Sequence, residues 1–170
     1  MAEETSNAAA PTAAELGFER FAATDGERVR RALVGYYGID VGTDAAADAL
    51  AVAWERWAEI TQMANRAGYV FRIGQSKARP GMRWRRRRVE FPTGHERSTG
   101  DATDRDTSLI DLFDALRRLR PDERAAVLLT KSYGYSYREV AELLDTPETN
   151  VNNLVHRGIT KLRTSLETKP

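Results

Sequence analysis

From about Glu15 onward, apolar positions recur at helical intervals. Leu16, Phe21, Val29, Leu33 and Tyr37 mark one amphipathic stretch, with an interruption expected near Thr24-Asp25-Gly26. Gly38 and Gly42 bracket a break, and Thr43 is placed to cap the next helix. Ala47, Leu50, Ala51, Trp54, Trp57 and Ala58 form the second apolar repeat. A third helix is predicted from about Ala67 to Arg79, with Tyr69, Val70 and Ile73 inward and Pro80-Gly81 as its stop.

The periodicity lapses over residues 90–107, where Pro, Gly, Ser, Thr and Asp leave almost nothing to bury, and returns with Ser108 as the expected cap. Leu109, Leu112, Phe113, Leu116 and Leu119 form the next stripe. Pro121 suits the first turn of a helix carrying Ala125, Leu128 and Leu129, which Gly134 ends. Ser136-Tyr137-Arg138-Glu139 reads as a capping box, followed by Val140, Ala141, Leu143 and Leu144. After a turn at Asp145, Thr146-Pro147 starts a last helix, with Val151, Leu154, Val155, Ile159, Leu162 and Leu166 on one face. No segment alternates with period two. The expectation is an all-α protein of two small helical domains joined by a flexible linker. Residues 1–14 form a disordered N-terminus, 15–89 one domain, 90–107 the linker and 108–170 the second domain.

Composition narrows the chemistry. The 170 residues include no cysteine, and only two histidines, His95 and His156, far apart. Disulfides, thiol catalysis, thiolate metal sites and a His-rich zinc site are therefore excluded, no cofactor is expected, and an enzyme is disfavoured. No apolar run approaches the roughly 20 residues of a membrane helix, and the start lacks an apolar signal core, so a cytoplasmic protein is expected.

Net charge is only +1, but its distribution is uneven. Residues 1–76 hold 7 basic and 11 acidic side chains, whereas residues 77–88 hold 7 basic and none acidic. That island, Lys77, Arg79, Arg83, Arg85, Arg86, Arg87 and Arg88, has Trp84 among its charges. Arginines neutralise phosphates and an aromatic can stack on an unpaired base, as strand opening requires. A solvated basic loop, with Trp84 as a core anchor, is the competing reading.

The segment from Ser136 to Arg163 encodes a short helix, a turn of about three residues and a longer helix, which is the helix-turn-helix arrangement. The outward face of the second helix is Thr149, Asn150, Asn152, Asn153, His156, Arg157, Thr160 and Lys161. These are hydrogen-bonding groups without an acid among them, suited to the base edges of a major groove. Glu148, in the first turn, suits the positive end of the helix dipole. Asn152 and Asn153 are the candidate base readers. Thr149 and Asn150 reach a base or a phosphate, and His156, Arg157 and Lys161 lie where phosphate contacts are more usual.

At this point the sequence resembles the sigma-70 family of bacterial sigma factors, specifically its small extracytoplasmic-function (ECF) members. Tyr133 through Leu144 and Pro147 through Leu162 look like the second DNA-binding region, and Leu116 through Arg124 resembles the helix before it. Asp44 through Trp57, ending in AWERW, is similar to the helix that docks on the polymerase β′ subunit. Gly68 through Gly74, with the basic run after it, is similar to the promoter-melting segment. The family usually has a glutamine–acid pair where this chain has Ala47-Asp48, and arginines where Asn152 and Asn153 stand.

The resemblance implies binding to core RNA polymerase through Asp44, Asp48, Trp54 and Glu55. It implies recognition of an upstream (−35) promoter element by the C-terminal domain and opening of the −10 element by the N-terminal one. Promoter DNA and core polymerase are the implied partners, with an anti-sigma protein as a further candidate. The alternative is a free-standing helix-turn-helix regulator, which would bind duplex DNA unaided, typically as a symmetric dimer.

Overall fold

The computed structural model describes residues 11–85 and 104–167, with side chains described for 11–78 and 111–167. All regular structure among the described residues is helical. The N-terminal half contains α1 (Ala13–Phe21), α2 (Glu27–Tyr37), α3 (Ile39–Glu55), α4 (Trp57–Ile60) and α5 (Arg66–Arg85). The C-terminal half contains α6 (Asp104–Arg118), α7 (Pro121–Val127), α8 (Tyr137–Leu144) and α9 (Glu148–Glu167).

The chain enters α1 through a capping box in which the Glu15 backbone N–H donates to Thr12 Oγ1 at 3.2 Å and the Thr12 N–H donates to the Glu15 carboxylate. That backbone donor holds the Glu15 carboxyl below its usual range. The interruption expected at Thr24-Asp25-Gly26 is a π-helical turn over Ala22–Gly26 rather than a break, so α1 runs into α2. Gly38 ends α2 at φ 86°, a conformation open to glycine, and α3 starts directly at Ile39. Thr43 therefore lies inside α3 and is not its cap.

The buried face of α3 also differs from the apolar repeat read in the sequence. Val41, Gly42, Ala45, Ala46, Ala49 and Ala53 are buried, whereas Ala47, Ala51, Trp54 and Ala58 are exposed. Alanines occupy most of the helix circumference, so hydrophobicity alone gives the face no phase. Close approach supplies it: a Cβ on Gly42 would lie 2.5 Å from the Val34 backbone of α2. Trp57 turns inward at 6% exposure and packs on Phe21 and Phe18, with ring centroids 5.1 and 5.3 Å away.

Pro80-Gly81 does not stop α5, which continues to Arg85. Upstream of that pair α5 packs on α2 and α3, with Val70, Phe71 and Ala78 buried. Full burial of side chains such as Phe71, Leu33 and Ile60 contributes about 1.5–3 kcal/mol each. Ser108 likewise sits within α6, which begins at Asp104, instead of capping it.

The apolar cluster is continuous between the halves, running from Phe21, Leu33 and Phe71 to Leu129, Val140 and Leu143. A smaller cluster of Ala115, Leu119, Val127 and Leu162 joins α6, α7 and α9. Gly158 lets α9 approach α7, since a Cβ there would lie 2.6 Å from Val127 Cγ2.

Candidate nucleic-acid interface

The helix-turn-helix is built by caps at each joint. At the start of α8, Ser136 Oγ accepts the Glu139 N–H at 3.2 Å, and the Glu139 carboxylate accepts the Ser136 N–H at 2.8 Å. The Ser136 N–H and hydroxyl, both donating to it, hold the Glu139 carboxyl below its usual range. At its end, Asp145 adopts the left-handed conformation (φ 52°), and the Thr146 N–H reaches the Ala141 carbonyl at 3.0 Å. This closes a Schellman motif with aspartate where glycine is commonest. Three residues separate α8 from α9. The Pro147 carbonyl accepts the Asn150 and Val151 N–H groups, and α9 follows from Glu148.

Val151, Leu154, Val155, Gly158 and Leu162 face the core. Thr149, Asn152, Asn153, His156, Arg157, Thr160 and Lys161 are exposed, so the structure brings nearly all of the proposed reading face together. Asn150 is only half-buried and is held to its own turn, with its Nδ2 donating to Thr146 Oγ1 at 2.9 Å. Arg157 donates from Nε to the Asn153 carbonyl at 3.3 Å, leaving both asparagine carboxamides outward.

Lys161 is engaged in a way the sequence did not suggest. Its Nζ donates to both carboxylate oxygens of Glu123, each at 2.8 Å. The Glu123 side chain is only 2% exposed, whereas that of Lys161 is 50% exposed. Burial pushes the Glu123 carboxyl up. The Lys161 hydrogen bonds, the Arg120 backbone N–H at 3.2 Å and the nearby positive charges outweigh this and hold it below its usual range. The pair ties α9 to the first turn of α7. Nothing but an acid in a Pro-started first turn hints at Glu123 in the sequence.

Of the basic segment, Lys77 is exposed on α5. Arg79, Arg83, Trp84 and Arg85 lie on the last turns of α5 with side chains outside the described residues, and Arg86, Arg87 and Arg88 lie outside them altogether. Asp44, Asp48 and Glu55 share one exposed stripe of α3, without an ion pair among the described residues. Trp54 flanks that stripe at 45% exposure, its ring 5.1 Å from Phe18. Among the described residues no cluster of His, Asp or Glu could hold a metal ion, and no helix is long and apolar enough to cross a membrane.

Comparison with known proteins agrees with this geometry. Residues 109–162 match the family model for sigma-70, region 4. The chain is 32% identical over 99 residues to the RNA polymerase sigma factor CarQ of Myxococcus xanthus, a match spanning 56% of this chain and 57% of that protein. It shares its fold with the sigma factor RpoE of Bartonella quintana, solved in complex with the anti-sigma factor NepR. There the TM-score is 0.59 at 22% identity, covering 91% of this chain and 99% of that one. The capped helix-turn-helix lies inside the segment, residues 109–162, that matches sigma-70, region 4, and the chain spans a little over half the length of the sigma-factor relative it matches.

Proposed function

We propose that the chain binds core RNA polymerase and directs promoter-specific initiation of transcription. In this reading α9 enters the major groove of the upstream (−35) element, N-terminal half first, with Asn152 and Asn153 reading bases. A carboxamide pairs bidentately with an adenine edge, so adenine is the base expected opposite them. The N-terminal half opens the −10 element. Lys77, Arg79, Arg83 and Arg85 to Arg88 neutralise phosphates there, and Trp84 stacks on an unpaired base. Asp44, Asp48, Glu55 and Trp54 form the docking stripe for a basic polymerase surface. An anti-sigma protein is the further partner.

The observation that carries the reading is the acid-free polar face of α9, exposed in a doubly capped helix-turn-helix inside the region-4 match. Runoff transcription with purified core polymerase and a promoter library tests it. The expected result is transcript from a subset of promoters only when this chain is added. Binding to duplex DNA as a symmetric dimer, without transcript, would favour the free-standing regulator instead.

A further inference from the structure

An acid on a face that approaches DNA meets the repulsion of the phosphates, so each acid of the helix-turn-helix calls for a physical account. Four lie between Ser136 and Arg163: Glu139, Glu142, Asp145 and Glu148. Glu139 closes the cap of α8, Glu142 accepts from Arg138 Nε at 3.2 Å, and Asp145 pairs with Arg72. Glu148 is exposed, and its carboxylate has no hydrogen bond or ion pair among the described residues.

The helix dipole does not account for Glu148 by itself. The first-turn glutamates Glu15, Glu123 and Glu139 each reach back to the N–H of their N-cap residue and close a capping box. Glu148 makes no such bond. The start of α9 is closed instead by the Pro147 carbonyl and by Asn150, whose Nδ2 donates to Thr146 Oγ1. A dipole would be served as well by aspartate or by an acid elsewhere in the first turn.

Register decides where this carboxylate goes. Glu148 and Asn152 are four residues apart, on one face of α9 with Thr149 and Asn153, and all four are exposed. Four helical residues rise about 6 Å and base pairs stack at about 3.4 Å, so Glu148 stands within about two base pairs of Asn152. In helix-turn-helix proteins the N-terminal residues of the second helix contact base edges. There a carboxylate is an acceptor without a donor. It suits the N4 amino group of cytosine, whereas guanine offers N7 and O6 and thymine offers O4, all of them acceptors. Adenine sets an acceptor beside its amino group.

We propose that Glu148 is a specificity-determining residue: its carboxylate accepts from the N4 amino group of a cytosine in the upstream element and repels guanine and thymine at that position. This deepens the promoter-reading proposal above and rests on it.

Runoff transcription with core polymerase over a promoter library compares the unaltered chain with Glu148→Gln, Glu148→Ala and Glu148→Asp. The unaltered chain should favour cytosine by about fivefold or more at one upstream position, within about two base pairs of the one that relaxes in Asn152→Ala. Glu148→Gln should turn that preference to adenine, because a carboxamide both donates and accepts. Glu148→Ala should lower transcript from promoters with cytosine there and raise it from those with guanine, since the repulsion goes with the carboxylate. Glu148→Asp keeps the charge at the helix end but is one methylene shorter. It should weaken the cytosine preference while its thermal melt stays in place.

Unchanged base preferences in both Glu148→Gln and Glu148→Ala, whatever their melting temperatures, would leave Glu148 a helix-end acid and overturn the proposal. Absence of transcript from the unaltered chain on every promoter would overturn the sigma-factor reading, and this proposal with it.

Discussion

Replacing Lys161 by methionine keeps most of the aliphatic stem and removes the ammonium. Glu123 then keeps one backbone donor, from Arg120, and loses both Lys161 hydrogen bonds. Breaking a fully buried pair costs about 3–5 kcal/mol. Lys161 is half exposed, so water enters in its place and the cost falls to about 2 kcal/mol, the range of a charge-assisted bond. For a chain of this size that is a drop of about 4–8 °C in Tm.

The pH dependence identifies the cause. Glu123 is held below its usual value, so it stabilises the fold above the unfolded pKa of about 4.3 and loses that contribution as pH falls through the folded value. In the Lys161→Met variant the upward push of burial loses its main opponent. The Glu123 carboxyl is then held down less strongly, so the variant loses less stability than the unaltered protein as pH falls. The deficit against the unaltered protein should therefore be largest at neutral pH and shrink toward about pH 4. Urea titrations of both proteins at the two pH values measure it. A loss below about 0.5 kcal/mol at neutral pH, or an equal loss at both, would refute a structural pair. A DNA-binding salt slope reduced by about 0.9 would show Lys161 on a phosphate instead.

Asn152→Ala or Asn153→Ala should cost about 1–3 kcal/mol at one base pair and relax its preference, read in a promoter-library comparison. Unchanged preferences in both, with a change in Arg157→Ala, would move the reading to Arg157. Reversing Asp44 and Asp48 to lysine should weaken capture of core polymerase while the circular dichroism melt stays in place, since both are exposed and form no ion pair among the described residues. Undiminished capture would remove the α3 stripe from the interface. Gly42→Ala drives a methyl to 2.5 Å from the Val34 backbone and should destabilise by about 1–3 kcal/mol in thermal unfolding. A neutral result would mean α2 and α3 separate easily.

The helix-turn-helix was legible because each joint carries its own chemistry. Ser136 and Glu139 announce one start, Thr146-Pro147 another, and the apolar stripe of α9 is unambiguous. The reading of α3 went astray because alanine is apolar yet small: Ala47 and Ala51 look as inward as Ala45 and Ala49. What separates them is where Gly42 lets Val34 come close, a fact of the partner helix. Pro80-Gly81 looked like a stop because local propensity opposes a helix there, yet α5 continues to Arg85. Glu123–Lys161 was invisible because 38 residues separate the partners, and neither residue type signals burial. The bonds between the halves share that property, with Arg124 lying 89 positions from the Gly35 carbonyl that accepts from its Nε.

Arg124, which donates to the Gly35 and Tyr36 carbonyls in the last turn of α2, and Asn65, whose Nδ2 donates to the Glu142 carbonyl in the last turn of α8, bear on how this protein can be dissected. A fragment ending before α6 would retain every residue of α2 yet lose the guanidinium that finishes it. A fragment starting at α6 would lose the carboxamide on the last turn of α8. Each excised piece should fray at a defined helix end, with fast amide exchange around Gly38 in one and Asp145 in the other. Properties measured on separated pieces would then describe helices shorter than those of the intact chain, and their stabilities should not sum to its own.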